Sequence, residues 1–263
     1  MTLNPSYVDV AIPRGCLRRA SKVGESEFTN LADTDINAIP RSEWKDLLEQ
    51  NQSLEVIIQK IKDQNGEGSC ASNATSQCFE IVWNMTLGLE AWMEISPISI
   101  YRWVARSPNN GSTIEGNLRQ LRDVGCLPVD KDDNKQKMQA AGLNSNHVLK
   151  EVGYYQKFPS NWKDTALNFR AQEWYEITSF DEFITCLFYD FPVCYGRAGH
   201  AICGATPVFD NNQWHVKYAN SWKPSWGDNG YGYDSERYIS GSISSYGAWA
   251  LRSIVMPEVL LPI

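Results

Sequence analysis

The hydrophobic positions of this chain fall into two textures. In "CASNATSQCFEIVWNMTLG", residues 70–88, Ala71, Ala74, Cys78, Val82 and Met85 recur at steps of three and four, the stripe of a buried helix. Gly88 supplies its stop. A second helix is predicted over "STIEGNLRQLRDVG", with a capping box from Ser112 to Glu115 and Gly125 closing the last turn. A polar, lysine-rich stretch at 130–150 reads as a surface connection. From about residue 170 the period changes. "QEWYEI" reads as a strand, "SFDEFITCLFYD" as a helix with a capping box from Ser179 to Glu182, and "FPVCYG" as a strand. "GHAICGATPVF" and "QWHVKYANSW" flank the turn residues "DNN" and predict a β-hairpin. Residues 1–38 carry no sustained period and are expected to form an irregular extension ahead of "IPRSEW". The fold class is α+β, with a helical lobe over about 65–145 and a β-rich lobe over about 150–255.

Composition narrows the function. The 263 residues are 43% hydrophobic and 21% charged, enough for one large domain or two lobes with cores of their own. No run approaches the roughly 18 apolar residues of a membrane span, so no membrane partner is expected. The start, "MTLNPSYVDVAIPRGCLRRA", lacks a basic segment followed by an apolar run, so no signal peptide is expected. A net charge of −7 argues against nucleic acid as the main partner. The seven cysteines show no CxxC and no Cys/His cluster of ligand spacing, so neither metal nor cofactor is implied. Their odd number leaves at least one unpaired, and most sit in apolar runs as small buried hydrophobes. No disulfide framework is required, which favours the cytoplasm or another reducing compartment.

One stretch stands apart. "DQNGEGSC", residues 63–70, delivers Cys70 to the first turn of the first helix, where the positive end of the helix dipole favours a thiolate. Of the three histidines, His147 in "SNHVLK" reads as an exposed connector residue. His200 opens a strand behind a glycine. With the hairpin turn centred near 210–212, His200 stands opposite Asn220 or one pleat away, so their Cβ atoms lie about 4.5–8 Å apart. His215 has the other parity and points to the opposite face. A nucleophile, a base and an orienting amide follow the logic of a catalytic triad.

Three segments carry a family resemblance. "QNGEGSC" resembles the glutamine-to-cysteine loop of the papain-like cysteine proteases, "GHA" their histidine segment, and "NSWKPSWGDNGYG" (220–232) their asparagine segment, with Trp222, Trp226 and Gly227 in the family's spacing. In that family the His and Asn follow the Cys by some 130–150 residues; here they follow Cys70 by 130 and 150. The texture is closest to the bacterial and viral branch. Two departures stand out: Glu67 and Ala71 replace a cysteine and an aromatic residue. Asn109 stands where that cysteine's usual disulfide partner would be, so both halves are missing together.

The resemblance implies a two-lobed papain-like fold over 39–263 and a cysteine endopeptidase acting on polypeptide through a thioester. Cys70 would be the nucleophile, His200 the acid and base, Asn220 the orienting amide and Gln64 the oxyanion donor. Trp222 would shield the His–Asn bond. Gly111, Ser112, Gly199 and Ala201 would line the substrate groove. Residues 1–38 would serve as a pro-segment or a lid inhibiting the cleft. The alternatives are acyl transfer of the amidase or transglutaminase type, and a catalytically silent interaction protein that kept the fold.

Overall fold

The computed structural model describes residues 15–256. Its elements are β1 (Thr29–Asn30), α1 (Trp44–Gln50), α2 (Cys70–Leu87), α3 (Ile98–Val104), α4 (Ile114–Asp123), α5 (Asp132–Ala140) and α6 (Trp162–Ala166). There follow β2 (Ala171–Glu176), α7 (Phe180–Phe188), β3 (Val193–Arg197), β4 (His200–Asp210), β5 (Gln213–Ala219), β6 (Tyr231–Ser235), α8 (Glu236–Tyr246) and β7 (Ala248–Ile254). The class is α+β, as the change of period predicts.

The strands form one sheet in the order β1-β2-β7-β3-β4-β5-β6, antiparallel except for the parallel β1–β2 pair. The predicted hairpin is β4–β5. Asn211 and Asn212 both adopt positive φ (49° and 59°), the backbone that lets a two-residue turn follow the strands' twist. Pairing runs from Asp210↔Gln213 to Cys203↔Ala219, with an irregularity between Gly204 and Thr206 that kinks β4 just beyond His200.

α2 is the keel of the molecule, packing on β3, β4 and β7 and against α3 and α4. Every residue from Cys70 to Asn84 is buried, so the helix is enclosed all round rather than along one stripe. Met85, the last position of the predicted stripe, is 41% exposed, because the helix leaves the core there. Phe79 and Trp83 lean on each other at 5.6 Å, and Trp83 stacks on Phe169. Cys78 of α2 and Cys203 of β4 bring their sulfurs to 3.4 Å as free thiols, and all seven cysteines are buried and unpaired.

Several local expectations are corrected. The N-cap of α4 is Thr113, whose hydroxyl accepts from Gly116 N at 3.1 Å, so the Ser112–Glu115 capping box does not form. Residues 130–150 hold α5, not merely a connection: Met138 is buried, and the Asn134 amide donates to the carbonyls of Glu94 and Val129. His147 is buried, its Nδ1 2.7 Å from the Thr165 hydroxyl. The Ser179 cap on α7 forms as expected, with Glu182 N donating to its hydroxyl.

The part of the irregular extension that is described, residues 15–38, packs on the rest of the chain; residues 1–14 lie outside the described residues. Phe28 and Leu31 are buried in the main core, and β1 adds to the sheet edge at Tyr175 and Glu176.

Candidate active site

The loop before α2 is held from below. Lys62 and Glu80, both buried, pair at 2.6 Å, and the same ammonium donates to the Ile95 carbonyl at 3.1 Å. That clamp fixes the backbone two residues before Gln64 to the side of α2. Gln64 N then donates to Ser221 O at 2.9 Å, while its side-chain Oε1 accepts from the Ser221 hydroxyl (2.7 Å) and from Trp222 Nε1 (3.2 Å). With the oxygen so engaged, the Gln64 amide nitrogen faces the other way, one hydrogen toward Glu67 O. Glu67 accepts from Gly153 N and Tyr154 N, securing the loop through a carboxylate.

His200 and Asn220 meet as the hairpin register predicts. His200 Nε2 lies 2.7 Å from Asn220 Oδ1, and Ser221 N donates to the same oxygen at 2.8 Å. That second donor fixes which end of the amide is oxygen. An amide oxygen only accepts, so Nε2 carries the hydrogen, and in a neutral ring the lone pair sits on Nδ1. Trp222 stacks on the imidazole at 4.4 Å.

Cys70 is fully buried at the head of α2. Burial pushes its thiol up to about 11, against backbone hydrogen bonds from Ala201, Gly15 and Ala71 that pull the other way. Ala201 is the residue after His200, so the sulfur of one lobe touches the histidine segment of the other. Burial thus favours the protonated thiol.

Segment 15–17 of the chain itself lies against this site. Ser112 N donates to Gly15 O at 2.8 Å, Leu17 N to Ser112 O at 3.0 Å, and Cys16 N to Gly199 O at 2.9 Å. Cys16 pairs with Ser112 in parallel. The fit needs glycine on both sides: a Cβ on Gly15 would stand 2.0 Å from Gly68 O. Gly111, Ser112 and Gly199, predicted from the family resemblance to line a groove, gather around this segment, whereas Ala201, predicted with them, is placed by its backbone against the Cys70 sulfur. Beyond the groove Arg19 pairs with buried Glu176 of β2, and Ser21 with Glu115 of α4, so the segment is tied to both lobes.

Sequence reasoning missed Cys16, Arg19, Glu67, Glu115 and Glu176 as parts of this arrangement, since each acts through distant contacts that no local period marks. Ser221 was within reach, lying inside the quoted "NSW" motif. Among the described residues no group of three or more His, Cys, Asp or Glu is placed to hold a metal ion. No helix among them is long and apolar enough to cross a membrane.

No family model matches the chain, and no curated protein matches it. Solved structures do. Xylellain, a cysteine protease from Xylella fastidiosa, aligns over 90% of this chain and 99% of its own, with TM-score 0.61 and 17% identity. Digestive procathepsin L 3 of the Tenebrio molitor larval midgut aligns over 92% and 77%, with TM-score 0.59 and 14% identity. Procathepsin B S9 from Trypanosoma congolense aligns over 94% and 89%, with TM-score 0.57 and 13% identity. The fold is that of the papain-like cysteine proteases.

Proposed function

We propose that the chain is a cysteine endopeptidase held latent by its own segment 15–17. The observation that carries this reading is the His200–Asn220 pair under Trp222, with the Cys70 sulfur against the backbone of Ala201. Once the groove is open, water and the helix terminus relieve the burial that keeps Cys70 protonated, and His200 Nδ1 takes the proton. The thiolate attacks the substrate carbonyl carbon, and the carbonyl oxygen gains charge. The outward N–H of Gln64 and the backbone N–H of Cys70 stabilise that oxyanion. The imidazolium gives its proton to the leaving amine, and a thioester remains. His200 then removes a proton from water, which attacks the thioester and frees the new carboxylate. Asn220 keeps the ring at the correct tilt throughout.

Segment 15–17 escapes this chemistry by its orientation. It presents Cys70 with the Gly15 backbone N–H, while the Gly15 carbonyl is engaged by Ser112 N rather than aimed at Gln64. Inhibition by the chain's own N-terminal part is supported in addition by the likeness to proforms such as the two procathepsins.

Cys70→Ala tests the assignment. It is expected to abolish hydrolysis of a mixed peptide library with the fold intact by circular dichroism; cleavage at the wild-type rate would remove Cys70 from the mechanism. Mass analysis of the products separates hydrolysis, which leaves free new termini, from acyl transfer, which cross-links chains.

A further inference from the structure

The Asn220 amide is held at one end. Its Oδ1 meets His200 Nε2 and accepts from Ser221 N, while its Nδ2 is buried with no hydrogen-bond partner among the described residues. Two atoms of α2 share that condition, Asn73 Oδ1 and Gln77 Nε2. The Asn73 Nδ2 donates to Ser69 O and Ser69 Oγ, so its Oδ1 is the end turned from the helix head. Asn73, Gln77 and Asn220 are 2%, 3% and 3% exposed. All three line one cavity between α2 and the strands β4 and β5, with Ala201 on its wall. A water-sized sphere has about 10 Å³ there, room for a single water.

From this convergence we infer that the cavity binds one ordered water, and that Asn73 and Gln77 act through it as positioning residues for Asn220. The water accepts hydrogen bonds from Asn220 Nδ2 and Gln77 Nε2 and donates one to Asn73 Oδ1. Buried polar groups are satisfied in native proteins, and a buried water makes about three such bonds. The donor set fits water rather than an ion. A cation would meet two N–H groups, and an anion would meet the Asn73 oxygen. Lys62, which also lines the cavity, is already engaged by Glu80 and the Ile95 carbonyl. The terminal torsion of an Asn side chain is soft, so an amide held at one end can swing. Held at both ends, it fixes its own plane and the ring that donates to it. Cys70 heads the same helix, so one rigid element supports the nucleophile directly and the orienting amide through the water. The use made of that alignment rests on the peptidase reading; the water itself does not.

The test uses the full chain. A high-resolution crystal structure is expected to show one water within about 2.7–3.2 Å of Asn220 Nδ2, Gln77 Nε2 and Asn73 Oδ1. NMR of ring-¹⁵N histidine then follows exchange of the His200 Nε2–H with solvent. Gln77→Met keeps the length of the side chain and removes one donor, so that exchange should quicken roughly tenfold. The ring hydrogen of His147, held between Thr165 and Asn144, is the control and should not change. Absent density at the site, or density with the anomalous signal of chloride, overturns the water. Unchanged His200 exchange in Gln77→Met, or equal quickening at both rings, overturns the positioning role. Should Gln77→Met fail to fold, the wild-type density still decides. A water in place and a quickened His200 in a chain that hydrolyses no peptide uphold the site and sink the peptidase reading. Peptide hydrolysis by a chain without the water does the reverse.

Discussion

Gly111 and Gly15 approach so closely that a Cβ on Gly111 would stand 2.3 Å from the Gly15 carbonyl oxygen. Gly111 also holds φ at +68°, a conformation that disfavours any side chain. Gly111→Ala is therefore expected to expel segment 15–17 and cost about 1–2 kcal/mol of stability. Cys70 alkylation should quicken in this variant while the Michaelis constant for peptides rises, because the same edge is the proposed substrate edge. Unchanged alkylation would mean that the cover does not depend on this approach.

The Cys70 thiol, pushed up to about 11 by burial, is expected to govern reactivity against pH. In the covered chain roughly one sulfur in ten thousand is ionised at pH 7, and alkylation should climb about tenfold per unit with no plateau below pH 9. Removal of the segment rehydrates the sulfur but leaves the Ala201 and Ala71 backbone donors and the helix terminus, all of which favour the thiolate. The plateau should then fall below pH 8.5, the ordinary thiol value. Stopped-flow alkylation of both forms measures the difference, and superimposable profiles would refute it.

Gln64→Ala removes the proposed oxyanion donor and the acceptor for Ser221 and Trp222. In the activated enzyme kcat is expected to fall by about 10²–10³, equivalent to about 3–4 kcal/mol at the transition state. Gln64→Glu keeps the acceptor but removes the N–H and sets a carboxylate oxygen against the Glu67 carbonyl, so it should lose at least as much rate and some stability as well. Full activity in the Gln64→Glu variant would assign the oxyanion site to other groups.

Glu176 is buried, which alone would raise its carboxyl, but donors from Ser26, Arg19 and Gly24 outweigh burial and hold it below the usual range. A depressed carboxyl contributes stability that is complete above its unfolded value, near 4.3, and is lost as pH falls through the lower folded value. Glu176→Gln strands Arg19 and should cost about 3 kcal/mol at pH 6. The difference in melting temperature between wild type and variant is expected to shrink as pH drops from 5 to 3. A difference that persists at pH 3 would show that the ion pair is not what the mutation removes.

The candidate site was legible because its parts are local. A helix head, a strand start and a hairpin register place Cys70, His200 and Asn220 by short-range rules, and Gln64 lies six residues before Cys70. What failed was long-range or ambiguous. Glu115 has the spacing of a capping partner, yet its carboxylate serves Ser21 across the groove. α5 turns only Asn134 and Met138 inward, too few apolar positions to leave a stripe. The enclosure of α2 on all sides blurs the period that would have set Met85 apart. The route of residues 15–17 has no periodic signal at all, since backbone pairing with Ser112 and Gly199 reads no side chain.

The strand order has a consequence for biosynthesis. β7, the final strand of the described residues, lies between β2 and β3 in the middle of the sheet. As the chain leaves the ribosome, β1–β2 and β3–β6 therefore remain separate ribbons until residues 248–254 emerge to join them. The event that completes the sheet also fixes β2, with its Glu176, where it meets Arg19 of the N-terminal segment.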